Sequence, residues 1–142
     1  DLGSMDLSYL SIEKAVPLYR AIMGGQGEVL CLVKPLFEVD DPEARRTGEI
    51  APEKYLPLLL RLIDTLNRQE NTAVLDVTRS PVTGNNGTHE FFLRTVFGHS
   101  GPVPQLDEKA AQAVEAVLTL IILYLPPVKK VMGQLKTMAT QR

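Results

Sequence analysis

Cysteine is nearly absent, with one residue, Cys31, in 142. A lone thiol cannot close an internal disulfide, so a disulfide-stapled secreted scaffold is excluded. Its place inside the apolar run Val29–Val33 marks it as a buried core residue in a reducing compartment. Positive charge is not in excess either. A net charge of -2 and a pI near 5.7 give phosphate backbones no general attraction, so any nucleic-acid contact has to be local. No basic segment with an apolar core and cleavage site opens the sequence, so no secretion signal is expected and the expected location is cytoplasmic. The longest apolar-rich run, Ala116 to Leu125, is shorter than the roughly 18 to 20 residues that span a bilayer, and it reads as a buried helix. Internal repeats and low-complexity tracts are also lacking. What is present, 44% hydrophobic and 23% charged residues over one ordinary domain length, is a globular composition.

The hydrophobic spacing predicts alternating strands and helices. Residues 1–7 form a strand poor in β propensity, because Gly3 and Ser4 weaken it, and only its context argues for it. Ser11 is the expected N-cap of a helix over Ile12–Met23, with Gly24-Gly25 as its stop and Pro17 as a possible bend. Val29–Val33, continuously apolar, predicts a strand buried on both faces. The charged stretch Val39–Ile50 reads as a mobile loop. Tyr55, Leu56, Leu59, Leu62, Ile63 and Leu66 line one face of an amphipathic helix between Pro52 and Arg68, with Pro57 in its first regular turn. Ala73–Val77 and Phe91–Phe97 read as strands joined through the loop Arg79–Glu90, which suggests an antiparallel pair at the end of an otherwise parallel sheet. His99–Pro104 is a linker by composition. A long helix over Leu106–Leu125 follows, stopped by Pro126-Pro127, and then a short basic helix from Val128 to Thr140.

Asp6 closes the first strand and begins the stretch Asp6-Leu7-Ser8-Tyr9-Leu10-Ser11. In open α/β sheets ligands bind outside the carboxyl ends of the strands, so an acid there is a candidate site residue. Such a strand should not be the first of its sheet, and the chain is expected to begin partway through a fold. If the first two strands run parallel through a crossover helix, Lys34 reaches the same edge, and Glu90 joins it. An acid, a lysine and a second acid tune one another's charge, and a lysine so placed can help to deprotonate a hydroxyl. On spacing alone, a structural ion-pair network at a loop-rich edge is the favoured reading of the same three residues. Asn86-Gly87-Thr88 matches a glycosylation acceptor, and His89 stands beside Glu90, but no set of Cys and His partners suggests a metal site.

Three ordered blocks resemble a known family. Asp6-Leu7-Ser8-Tyr9-Leu10-Ser11-Ile12, Leu32-Val33-Lys34-Pro35-Leu36-Phe37-Glu38, and Ser80-Pro81-Val82-Thr83-Gly84 with Gly87-Thr88-His89-Glu90-Phe91-Phe92-Leu93 are similar to the D-V-S-F-I-S-L, L-I-K-P-Q-F-E and S-P-I-x-G…G-N-x-E-F-L blocks of the hemolysin A group of FtsJ-like RNA methyltransferases. The resemblance covers about residues 1–98 and the second half of that family's catalytic domain. It implies an α/β fold built on the last four strands of a Rossmann-like methyltransferase sheet, the final pair antiparallel, with residues 99–142 as a linker and two-helix extension. It also implies methyl transfer from S-adenosylmethionine to a ribose 2′-hydroxyl of ribosomal RNA by a Lys-Asp-Lys-Glu tetrad. Asp6, Lys34 and Glu90 stand at the last three positions of that tetrad. Asp6, Ser8 and Tyr9 stand where the family's chain passes the cofactor.

Several departures shape the remaining expectations. No glycine-rich strand-to-helix turn, no ribose-binding acid about 20 residues beyond one, and no first tetrad lysine occur in the chain. The family's Gly-Lys-Gly-Gly segment is reduced to Arg46-Thr47-Gly48. The chain alone is therefore expected to bind S-adenosylmethionine weakly or not at all and to be inactive by itself. The alternative is a non-enzymatic oligomerisation or interaction module derived from the same fold. Either way, the edge of the Asp6 strand and an apolar sheet face are expected to be open, to be covered by the helix 106–125 or by self-association.

Overall fold

The computed structural model describes residues 1–124. The expected stop at Pro126-Pro127 and the basic helix 128–140 lie outside the described residues.

Four strands form one sheet: β1 (Leu2–Met5), β2 (Gly27–Val33), β3 (Thr72–Arg79) and β4 (Phe91–Phe97), in the spatial order β1-β2-β4-β3. β1 and β2 are parallel, joined by the crossover helix α1 (Ile12–Ile22). β4 is antiparallel to both β2 and β3, so β3 runs the same way as β1 and β2. The antiparallel pair stands at the end of the sheet as its loop suggests, with the later strand innermost. The long crossover from β2 to β3 skips one strand position, and β4 returns from β3 to fill it.

The helices lie on one face. Val29, Cys31 and Val33 of β2 are fully buried against them, as are Phe91 and Leu93 of β4. Burial pushes the Cys31 thiol up to about 11, as expected of a core cysteine. The other face corrects the expectation that β2 is buried on both sides. Leu30 is 41% exposed, Leu32 and Phe92 are half-buried, and Glu28 holds Arg94 through two bonds of 2.8 Å across the paired strands. An apolar run cannot reveal which of its faces a second layer covers; on this face Ala73 and Val96 are buried, while the part around Leu30 stays open.

Helix α1 begins and continues through tertiary partners. Ser11 occupies the N-cap position, but its side chain makes no cap bond and its Oγ is buried without a partner. The Ile12 N–H instead donates to Oε1 of Glu38 at 2.8 Å, so a carboxylate from another segment satisfies the helix start. Pro17 removes the N–H that the Glu13 carbonyl would accept, and Nε2 of Gln69 donates to that carbonyl at 2.8 Å in its place. Gly24 and Gly25, at φ 67° and 75°, end the helix as expected.

The stretch expected to be a mobile loop is partly helical. After the turn α2 (Pro35–Glu38) comes α3 (Pro42–Thr47), whose Asp41 cap accepts from the N–H groups of Glu43 and Ala44 at 3.0 and 3.2 Å. An N-cap Asp, a Pro at the first position and a left-handed Gly48 at the end are the full set of helix signals, outweighed in the sequence by charge density. α4 (Tyr55–Asn67) follows a 3-10 turn over Pro52–Lys54 and packs Leu59, Leu62 and Leu66 into the core.

α5 (Leu106–Tyr124) packs against β3 and α4, with Leu106, Ala110 and Val117 in the same core. It therefore lies at the far end of the sheet from β1, so of the covers expected for the Asp6 strand the helix of the same chain is not the one. The side chains of the apolar second half from residue 118 onward lie outside the described residues. No described helix is long and apolar enough to cross a membrane.

Glu38 gives the fold a testable pH dependence. Burial raises its carboxyl pKa above 4.5, against the pull of the Ile12 amide and Arg61, so the folded chain holds this proton to higher pH than the unfolded chain does. The folded state thus binds more protons in that window, and stability falls as pH rises from 4.5 through the folded value. In thermal unfolding, Glu38→Gln should gain on the parent as pH rises from about 4 to about 7. Glu38→Ala leaves the Ile12 N–H unsatisfied and should fall about 1–3 kcal/mol below Glu38→Gln at every pH.

Candidate functional site

The sheet edge is built by register. Met5 pairs with Cys31 at the last rung of the parallel ladder, so Asp6 and Lys34 leave adjacent strands within a few residues of one another. Pro35 disfavours helical backbone in the residue before it, and Lys34 is extended (φ -106°, ψ 97°). Its Nζ lies 2.5 Å from Oδ1 of Asp6 and 3.4 Å from Oγ of Ser8. The lysine side chain is 22% exposed and the aspartate side chain 67%, so the ammonium is held from below while the acid faces solvent.

Glu90 arrives on the other side of Lys34. Val33 pairs with Phe91 at the end of the antiparallel ladder, which places Glu90 beside Lys34 on the neighbouring strand. The Glu90 carbonyl accepts from the Ser80 N–H at 2.8 Å, closing the base of the loop 81–89. Within that loop Gly84 donates to the Thr88 carbonyl at 2.8 Å, and left-handed Asn86 and Gly87 make the turn. A Cβ on Gly84 would lie 2.5 Å from Oε1 of Glu90, so the absent side chain is what lets the carboxylate rest on the backbone. The hydroxyl of buried Thr88 lies 3.0 Å from the Asn85 carbonyl and 3.2 Å from the Gly48 carbonyl, so its one proton is shared between the loop itself and the end of α3. Burial raises the Glu90 carboxyl pKa, Lys34 lowers it, and Asp6 raises it again.

Asp6, Ser8, Tyr9, Lys34 and Glu90, all singled out in the sequence, line one cleft of about 360 Å³. Gly84, Asn85 and Thr88 complete its wall and were not legible as site residues. The available signal was the cluster of small turn residues between Ser80 and Glu90. His89 does not line the cleft; its N–H donates to the Tyr55 hydroxyl at 3.3 Å, and burial, with Arg79 nearby, lowers its pKa. Among the described residues no group of three His, Cys, Asp or Glu side chains is placed to hold a metal ion. Two carboxylates around one ammonium suit a cationic guest. An ammonium donor beside an acid of raised pKa suits a hydroxyl that must lose its proton.

Comparison with known proteins bears on the chain's sequence and fold. No family model matches the chain. It is 25% identical over 93 residues to the Bacillus subtilis (strain 168) protein named "Putative rRNA methyltransferase YqxC", a match over 66% of this chain and 33% of that protein. Its fold resembles that of a "putative hemolysin from Lactococcus lactis" at TM-score 0.69 and 25% identity, covering 81% of this chain and 54% of the other. A second such protein, from Streptococcus thermophilus, aligns at TM-score 0.65 and 24% identity over 83% of this chain and 44% of its own. The chain thus spans about a third of the curated relative and about half of each solved structure. In sequence and in fold, at low identity, it is similar to the hemolysin-like rRNA methyltransferases.

Gly84→Ala tests the wall of the cleft. The conflicting atom is the end of a flexible side chain, so the loss of stability should stay within about 1 kcal/mol while the carboxylate swings out. Carbon-detected NMR titration should then find the Glu90 pKa lower than in the parent, because its burial is relieved.

Proposed function

We propose that this chain carries the acceptor side of an rRNA methyltransferase site, with S-adenosylmethionine as donor and a ribose 2′-hydroxyl as acceptor. The observation that carries the reading is the convergence of Asp6, Lys34 and Glu90, from three separate segments, around one cleft. Those are the three positions at which the resemblance to the hemolysin A group of FtsJ-like enzymes implies catalysis.

S-adenosylmethionine supplies, when bound, a methyl group on a positively charged sulfur. Everything else falls to side chains. Lys34, fixed by Asp6, donates hydrogen bonds to the ribose oxygen and stabilises the negative charge that grows there as the proton leaves. Glu90, its carboxylate less well solvated than a surface acid, accepts that proton directly or through water. Asp6 orients Lys34 and, with Ser8, offers polar contacts to the cofactor's charged end. A cationic donor is favoured by the net negative charge of the triad.

The fit to the cofactor is one-sided. Asp6, Ser8 and Tyr9 all belong to one turn, and β1 has no neighbour on its outer edge among the described residues. Sites for ligands of this size bury roughly 70–90% of the ligand surface. Asp6 and Ser8 therefore hold one end of S-adenosylmethionine, and the chain by itself binds it weakly or not at all and turns over no RNA. With ribosomal RNA as the substrate, the place of action is the cytoplasm.

The open edge of β1 favours a second reading, a non-enzymatic module that self-associates by strand pairing. Light scattering separates the two, since a chain that stays monomeric at high concentration does not pair in this way. For the methyltransferase reading, amide NMR with millimolar S-adenosylmethionine should move the signals of Met5–Leu10, Lys34 and Gly84–Glu90 and few others. Lys34→Met and Asp6→Asn should abolish those shifts. Micromolar affinity would overturn the one-sided fit, and shifts confined to other parts of the chain would overturn the site.

A further inference from the structure

Tyr9 is 91% exposed, more than any other large hydrophobic residue described, and its backbone sits at φ 70°. That left-handed conformation is easy for glycine and strained for a bulky residue, so the position carries a ring against its local preference. The ring is nevertheless braced. Its centroid lies 5.0 Å from that of Phe37 at an interplanar angle of 62°, an edge-on contact with the turn that follows Lys34.

Both rings line the Lys34 cleft, and both also line a second cleft of about 640 Å³ that contains Lys14, Arg45 and Arg61. The aromatic pair is thus a ridge between the proposed reaction site and a charged hollow. The two arginines of the hollow are engaged, which leaves Lys14 as its one cation with no ion pair among the described residues. Arg45 lies 3.7 Å from Asp40, and Arg61 lies 3.9 Å from Glu13 while also donating to the Glu38 carbonyl at 2.6 Å.

We propose that Tyr9, braced by Phe37, is the platform on which the unpaired base of the target nucleotide stacks. The inference rests on the reading of the Lys34 cleft as a ribose site and adds the form in which RNA enters it. A base is one glycosidic bond from its sugar, so a group that holds the base must border the same cleft as Lys34. Tyr9 and Phe37 are the ring-bearing side chains on that cleft. Stacking, more than phosphate attraction, is the affinity this surface can give, because the chain is net negative and the neighbouring arginines are already engaged, leaving Lys14 alone to meet a phosphate. Bases inside a duplex are stacked on one another and unavailable to a ring, so the platform selects an unpaired nucleotide.

The sequence contains no tryptophan, so Tyr9→Trp creates a sole fluorophore at the ridge. Its emission should be quenched by a single-stranded oligoribonucleotide and left unchanged by the same sequence in a duplex. Anisotropy with the labelled single strand should show Tyr9→Ala binding about tenfold more weakly and Tyr9→Phe binding like the parent. Tyr9→Gly suits the backbone and should unfold at or above the parent's temperature while binding as poorly as Tyr9→Ala, which separates lost stacking from lost folding. Equal quenching by duplex, or no binding of single strands by the parent chain, would overturn the proposal. So would a Tyr9→Ala chain that keeps its RNA affinity but no longer responds to S-adenosylmethionine, which would give the ring to the cofactor. If the parent shows no response to S-adenosylmethionine around Lys34 while the RNA results hold, the platform stands and the methyltransferase reading fails.

Discussion

A single buried hydrogen bond, from the Ile12 amide to the Glu38 carboxylate, fixes the relation between the two turns that make the site. One turn, Asp6 to Ser11, leaves β1 and enters α1. The other, Lys34 to Glu38, leaves β2. The ion pair between Asp6 and Lys34 also bridges them, but its acid is 67% exposed, and pairs of that kind contribute roughly 0–1 kcal/mol. The Glu38 bond is buried, satisfies a helix N-terminus, and leaves an orphaned amide if removed. It is therefore the stronger of the two contacts, and it adds to the strand register that brings Asp6 and Lys34 together.

The third segment is anchored independently. Thr88 ties the loop to the end of α3, and Gly84 leaves room for Glu90 to lie against the backbone. The helical stretch 42–47 thus has a structural part in the site: its left-handed end at Gly48 presents the carbonyl that Thr88 binds. Three turns held by separate contacts allow the acid–lysine–acid group to keep its geometry while its polar ends stay open to a ligand. The violations of local preference gather nearby, in the strained Tyr9 backbone and the unpartnered Ser11 hydroxyl. Such departures are expected where binding and folding make competing demands.

Among the described residues the sheet is packed along one face and partly open on the other. α1, α4 and α5 contribute to the core on one side, while Leu30, Leu32 and Phe92 remain partly in solvent around the Glu28–Arg94 pair. That ion pair, with the Arg94 guanidinium holding the Glu28 carboxyl below its ordinary range, breaks what would otherwise be a continuous apolar strip. β1, four residues long with Gly3 and Ser4 inside it, is a weak strand at an open edge. Its order depends on β2, the strand it pairs with.

Much of this was determined by the sequence alone, because it was written in local chemistry. Apolar period and turn residues placed β2, β3, β4, α1 and α4, and the motif order placed Asp6, Lys34 and Glu90 at strand ends. Only the tertiary structure decided the rest. That Glu38, and not Ser11, satisfies the start of α1 depends on a contact between residues 26 apart in the chain, which no local pattern carries. That β2 is buried on one face depends on where the helices pack, since Leu30 and Val29 are equally apolar in sequence. The course of α5 along β3, and the meeting of Gly84 with Glu90, follow from how the chain returns through β4 to the centre of the sheet. Local propensity names the pieces and their ends; long-range packing decides which ends meet, and in this protein that meeting is the candidate site.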